Sequence, residues 1–470
     1  MAYGANKMRN ALIALNRFGL GSGPAGIESL SGDPIGALEA ELAAPGNVAL
    51  NAELLLSSQK GLTKLASYRR DVDAARLQGE RLRLTQAMTP YVLPPSKSSF
   101  GPSPENTNYV NEIASRLKHF RETPLGFIER LVLFWSNHFS ISMRGAQLRM
   151  IAGAYEREAI RPHVLGHFGD MLKAVAQHPA MLIYLENTKS VGPSSLTGLK
   201  NRRRGLNENF AREMLELHTV GVDGGYTQVD VTALACILSG WTISAMDSDS
   251  FNGGRFTFAP ADHEPGDQRV LGRMFPEDGL EQGEAIVDYL AAHPATAHHI
   301  ALKLATYFVA DIPAPSLVER LALRFQETRG DLGELSRVLI ASPEAWVAPS
   351  SKLRTPQEFL IAASRLTGLP DEAKMAINHL NAMGQPFWNA GSPRGYPDRI
   401  ADWLSPTGIT MRIELADQIG RLSIEPSPLT LADAAFGGLM TPQTRATISR
   451  AESRHQGMAL LLMSPEFQRR

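Results

Sequence analysis

The residues best placed to do chemistry in this 470-residue chain lie on one short stretch, Asn207 to His218. Asn209, Arg212, Glu213 and Glu216 fall at i, i+3, i+4 and i+7 and so share one helical face. Phe210, Met214 and Leu217 make the opposite, apolar stripe, and His218 lies beside Ala211 and Met214. Two carboxyls next to an imidazole are the ingredients of general acid–base catalysis. The same residues also read as an ordinary solvated face. Glu208–Arg212 and Arg212–Glu216 are i,i+4 ion pairs, each worth a few tenths of a kcal/mol on any exposed helix. Burial decides between the two, because carboxylates taken out of water must be paired or poised for proton transfer.

Further candidates lie elsewhere. Asn137 and His138 end a nearly all-apolar run in which Phe127, Leu131, Phe134 and Trp135 recur at helical spacing, so both need hydrogen-bond partners in a packed region. Asp262, His263 and Glu264 form an acid–base cluster on an irregular, better exposed loop, or simply a polar turn. Along Thr219 to Asp230, Asp223, Tyr226 and Asp230 fall where a calcium loop has positions 5, 8 and 12. Thr219 and Gly221 then occupy positions 1 and 3, which removes two side-chain oxygens that a hard cation needs. Gly224-Gly225 instead reads as a tight connection. His163, His167 and Asp170 have the i, i+4, i+7 spacing of a transition-metal face, but Gly166 and Gly169 loosen that helix and no metal is expected there.

Two textual motifs carry no chemistry. Gly21-x-Gly23-x-x-Gly26 has no apolar strand before it, so the phosphate-binding context is missing. Arg202-Arg203-Arg204 is a short basic run in a loop.

The elements that must position these residues are mostly helices. Asp33-Pro34 and Thr123-Pro124 open two of them, and Ile151 to Glu186 reads as a pair broken at His178-Pro179. Asn207 and Thr227 open the two arms of a hairpin turned by Gly221 to Gly225, with Asp230 in capping-box position. Ser316-x-x-Glu319 and Asp331-x-x-Glu334 read as two more capping boxes, and helix continues from Pro356 to Leu380. The expected fold is therefore all-α, with a small β-hairpin-like insertion near residues 251–275, where Phe256-Thr257-Phe258 and Val270-Leu271 alternate. The expected organisation is an N-terminal segment of short helices, 1–88, then a Pro/Ser-rich loop, 89–106, then a main helical domain, 107–470. That domain carries irregular insertions at 188–206, 244–283 and 384–406.

Composition narrows the function classes. Lys plus Arg number 47 against 48 acids, so no net field attracts a polyanion and no nucleic-acid partner is expected. Cys236 is the single cysteine, so packing rather than an intrachain disulfide stabilises the chain. No run reaches the ~18 apolar residues of a membrane span. The run Ala11 to Leu15 is too short for a secretory signal, which points to the cytoplasm.

The strings RLVLFWSNHFS (130–140), HPAMLIYLEN (178–187) and NENFAREMLELHTVGVDGGYT (207–227) closely resemble the domain-of-unknown-function family 1800, a large bacterial family. The resemblance extends to Leu238 to Trp241, Phe256 to Gly272, His293 to Ala297, Met383 to Pro386 and Ser464 to Phe467, nearly the whole chain. It implies a single helical unit whose motif-bearing segments are Asn137-His138, Asn207 to Thr227 and the His263 loop. It implies no assigned activity and names no cofactor. It also implies work in the cell envelope, exported, beside a sulfatase-like partner; this chain departs in lacking a recognisable export signal and in having Glu264 where the family's loop carries Asp.

Two functional readings result. In one, the protein is a non-catalytic binding or assembly partner in which Asn137, Asn207, Glu208, Asn209, Arg212, Asp223 and Tyr226 form a structural polar network around the hairpin. In the other it is a hydrolase or transferase acting on an envelope or polymeric substrate, with Glu213, Glu216, His218, His138 and His263 as catalytic residues. Convergence of those five around a solvent-connected concavity discriminates them.

Overall fold

The computed structural model describes residues 2–23, 26–30, 32–44, 50, 55–85, 102–201, 203–246, 253–347, 352–369, 372–423 and 425–470, with 2–5 and 79–85 as backbone alone. Most of the expected 89–106 loop, residue 202 and two residues of the Gly21 to Gly26 motif thus lie outside the described residues. Among the described residues the chain is mainly α-helical, with two small two-stranded antiparallel sheets. Among the described residues no helix is long and apolar enough to cross a membrane.

The caps explain most helix starts. Asp33 accepts from Gly36 N at 2.9 Å, and Thr355 and Glu358 form a reciprocal capping box. At the His-Pro and Ser-Pro starts, His178, His293 and Ser464 accept from the backbone of the first turn while Pro occupies the first helical position. Ser316 departs from its expected capping role. Pro315 begins that helix one residue earlier, and the Ser316 hydroxyl bonds Glu344 at 2.9 Å instead.

Other boundaries shift for packing reasons. The helix expected at Thr123-Pro124 runs Phe127–His138, because Gly126 at φ 88° opens it and a Cβ there would meet Leu20 Cγ at 2.6 Å. The N-terminal segment holds a 28-residue helix, Ser58–Thr85, as well as short ones. Residues 146–184 form Ala146–Tyr155, a π-turn Glu156–Ile160, a 3₁₀ turn Arg161–His163, and then Phe168–Gln177 and Pro179–Tyr184. His163 and His167 therefore do not share a helical face. The insertion has two hairpins: Trp241–Ile243 pairs with Phe256–Phe258, and Gln268–Val270 with Arg273–Phe275.

One continuous apolar core runs from Ala11 to Phe467. At its centre Phe18 packs on Phe127, Phe308 and Trp346, with centroids 5.6, 6.2 and 5.2 Å apart. Two ion clusters are buried in it. Glu358 pairs with Arg130 and, at 2.8 Å, with Arg470, and also accepts from Thr355 N. Glu129 takes both Arg161 terminal nitrogens at 2.6 and 2.8 Å, while Glu156 joins Arg161, Arg116 and the Trp388 indole at 3.0, 2.7 and 3.0 Å.

Such pairs are costly to break singly. Glu358→Ala leaves two buried guanidiniums without their carboxylate and is expected to lose about 3–5 kcal/mol in urea unfolding; an unchanged midpoint would contradict this. Burial alone would raise the Glu129 and Glu358 carboxyls, but Arg161 on one and Arg470 with Arg130 on the other outweigh it and hold both at about 2. Their folded values lie below the ordinary ~4.3, so their contribution is complete above that pH and is lost as pH falls toward 2.

Candidate functional site

The Asn207 to His218 stretch folds as a short α-helix, Asn209–Glu213, running into a π-turn, Met214–His218. The extra residue of a π-turn rotates the side chains beyond it about the helix axis. His218 and Leu215 lie in the core with Ala211 and Met214, and Leu217, which α-helical spacing places on the apolar stripe, is half-buried.

A helix end leaves carbonyls without intrahelical partners, and here side chains supply them. The Thr219 hydroxyl donates to Met214 O at 2.6 Å and Gly221 N to Leu215 O at 3.0 Å. His299 Nε2–H donates to Leu217 O and His138 Nε2–H to His218 O, each at 3.2 Å. A carbonyl only accepts, so both imidazoles are fixed as Nε2–H tautomers. His138 is thus held by the candidate helix itself. Among the described residues its Nδ1, and both ring nitrogens of His218, have no hydrogen-bond partner.

The three imidazoles gather closely. The His138 ring centroid lies 6.4 Å from that of His218 and 6.2 Å from that of His299, against Phe139 and Phe168. Burial, then the Lys303 ammonium, keeps all three neutral: His138 far below its usual value, His218 near about 3 and His299 near about 4.

Around this group lies a rim of charge, half-buried at Lys303, Asp398, Glu213 and Glu216 and exposed at Arg394. Burial pushes Lys303 down, with Asp398 opposing and Arg394 adding to the shift. Burial pushes Asp398 up, partly offset by Lys303. Glu213 is raised by burial and by Glu216, against Arg212 and Arg394. Asn137 fixes the segment bearing Arg394 and Asp398: its amide donates to Tyr396 O at 2.9 Å and its carbonyl oxygen accepts from Tyr396 N at 2.7 Å. Gly395 is required there, since a Cβ would lie 2.4 Å from Asn137 O. Between Asn137, Tyr307, Glu358, Tyr396 and Asp398 is a cavity of about 50 Å³, room for a few waters.

The outer hairpin face is cross-linked. Arg212 pairs with Glu208 at 3.3 Å and Glu216 at 3.6 Å, forming one ion-pair chain. Glu208 also accepts from Gln228 and Thr232 of the second arm, each at 2.8 Å. Tyr226 bonds Glu216, and burial together with that contact raises its phenol to about 12. The Asn207 side chain accepts from Asn209 N at 2.9 Å, and Asn209 itself is exposed. Asp223 is exposed at the turn. Asp230 is spent on Thr227 and on Leu271 N at 2.7 Å.

The structure brings His138, His218, Glu213 and Glu216 into this neighbourhood but sets His263 apart. The loop expected to be exposed is buried: His263 is 6 % and Glu264 8 % exposed. His263 Nδ1 bonds Ser239 O at 2.9 Å, Nε2 faces Glu277 at 3.4 Å, and Glu264 accepts from Ser194 N at 2.7 Å. These contacts fasten the insertion. Sequence reasoning missed His299, Lys303, Arg394 and Asp398. The polar i,i+4 pair His299/Lys303, set in an otherwise apolar helix, is the signal that could have found the first two. Among the described residues no group of three or more His, Cys, Asp or Glu is arranged to hold a metal.

Because the folded imidazoles titrate below the unfolded value of ~6.5, the unfolded chain takes up protons first, and stability falls as pH drops from about 6.5 toward 4. His218→Phe keeps a ring in the aromatic pocket and is expected to flatten that slope in urea titrations; an unaltered slope would show that His218 titrates normally. His138→Ala uncaps a buried carbonyl and opens a void, with an expected loss of at least about 2 kcal/mol. An unchanged or raised melting temperature would instead mark a group kept at the expense of stability.

The chain matches the family described as "Protein of unknown function (DUF1800)" over residues 13–469. No curated protein and no solved structure matches it. With nearly its whole length matched, the chain belongs to the DUF1800 family.

Proposed function

We propose that this protein is a non-catalytic binding or assembly protein of the cell envelope that presents its 207–240 hairpin to a sulfatase-like partner. The observation that carries this reading is the fate of the histidines. The N–H donors of His138 and His299 are spent on helix-ending carbonyls, and His218 is 1 % exposed. The cavity lined by Asn137, Tyr396 and Asp398 holds about 50 Å³, where an enclosed organic ligand needs roughly 300 Å³ or more. The hairpin, by contrast, is preorganised by its Glu208–Arg212–Glu216 chain and exposes Val222 and Val229 at 59 % and 74 %. Apolar side chains within a rigid polar frame are what a protein interface uses.

The second reading is a hydrolase or transferase on an envelope or polymeric substrate. It is favoured by a Lys303 that burial pushes down against Asp398, an Asp398 that burial pushes up, and a Glu213 raised by burial and by Glu216, perturbed acids and bases of the kind proton transfer uses.

Sedimentation velocity of the purified chain mixed with the sulfatase-like protein of the same cell tests the first reading. A complex is expected, weakened at least about tenfold by Val229→Asp combined with Arg212→Glu at unchanged melting temperature. Absence of any complex overturns it. Cleavage of envelope polysaccharide that is abolished by Lys303→Met transfers the case to the second reading.

A further inference from the structure

A second concavity, sharing no residue with the hairpin site, opens between the helix Ala2–Ile13 and the C-terminal helices Pro442–Ser449, Arg454–Leu462 and Pro465–Gln468. It encloses about 710 Å³, within the roughly 300–1,000 Å³ of small-molecule sites. Its wall is apolar, built from Leu12, Phe436, Leu439, Ile448, Leu460 and Met463. Its charged groups are unequally engaged. Glu466 accepts from Thr441 N at 3.0 Å and from the Thr441 and Thr444 hydroxyls at 2.8 and 3.1 Å, so that carboxylate is occupied. Arg9 and Arg469 line the same cleft, are exposed, and have no side-chain hydrogen bond or ion pair among the described residues. An apolar cleft of this volume lined by two guanidiniums without side-chain partners among the described residues is complementary to a molecule with one anionic end and a large apolar body.

We propose that this cleft binds a free long-chain carboxylate, with its alkyl tail along the apolar wall and its carboxylate on Arg9 and Arg469. Guanidinium groups present paired N–H donors that match the two carboxylate oxygens. Exposed ion pairs contribute little on their own, so the tail supplies most of the affinity and the arginines select the headgroup.

Calorimetric titration of the full chain with hexadecanoate, below its micellar concentration, tests this. One-to-one binding is expected, weakening about fourfold for each methylene removed. Hexadecanol is expected to bind at least about tenfold more weakly than the carboxylate. Arg9→Glu with Arg469→Glu, both exposed positions, is expected to remove that preference and leave hexadecanol binding unchanged. Thr447→Trp, at the exposed edge of the cleft, is expected to abolish binding of both ligands without altering the melting curve. Equal affinity for the alcohol, no dependence on chain length, or binding only to phosphatidylglycerol vesicles would each overturn the proposal.

Discussion

The Glu358 carboxylate is the point on which the architecture turns. It sits wholly inside the protein between Arg130 and Arg470, and it also completes the capping box of its own helix through Thr355 N. Arg130 then reaches Gly19 O at 2.6 Å, and Arg470 reaches Tyr307 O at 3.0 Å. One carboxylate thereby ties together the chain at Gly19, the 127–138 helix, the 294–308 helix and the last residue described. A buried ion pair is weak evidence for net stability, since desolvation offsets much of its attraction. Its consequence is geometric. Any shift of one of these segments leaves a charge unpaired in the core, so the packing admits few alternatives.

Near the hairpin the same accounting of buried polar groups explains the histidines. The π-turn Met214–His218 ends in carbonyls without intrahelical partners, that of the buried His218 among them. His138 and His299 donate to two of these carbonyls. A helix C-terminus ordinarily favours cationic imidazolium, yet here burial and Lys303 hold the rings neutral. The cap therefore works as a hydrogen bond between neutral groups. It is structural chemistry carried by residues whose types invite a catalytic interpretation.

Much of the fold was legible in the sequence because helix caps are local. Asp33, Thr227 and Asp331 cap where spacing placed them, and the Glu208–Arg212–Glu216 chain follows from i,i+4 geometry. The illegible features depend on distant partners. Glu129 and Arg130 interrupt an apolar helix and look like solvent-facing residues, but each is 1 % exposed because Arg161 and Glu358 arrive from elsewhere in the chain. The π-turn was invisible because hydrophobic patterning assumes a period of 3.6; His218 lies inward beside Ala211 and Met214 as that period places it, while Leu217 on the same stripe is only half-buried. His263 looked exposed because its surroundings are rich in Gly, Asp and Pro. Tertiary contacts with Ser239 and Phe258 bury it.

The 127–138 helix joins these observations. Consecutive residues on an α-helix point about 100° apart, so Glu129 in one ion cluster and Arg130 in the other fix the rotation of that helix about its axis. Packing of leucines and phenylalanines alone would tolerate some rotation; two charge pairs aimed in different directions would not. The helix carries Asn137 and His138 two turns further on. Its orientation therefore determines where Asn137 grips Tyr396 and where His138 meets the His218 carbonyl. The placement of Arg394, Asp398 and the hairpin end is thus set by buried ion pairs on another helix, of which Glu358–Arg470 also acts on the Asp398 charge, which is why the candidate site and the fold cannot be varied independently.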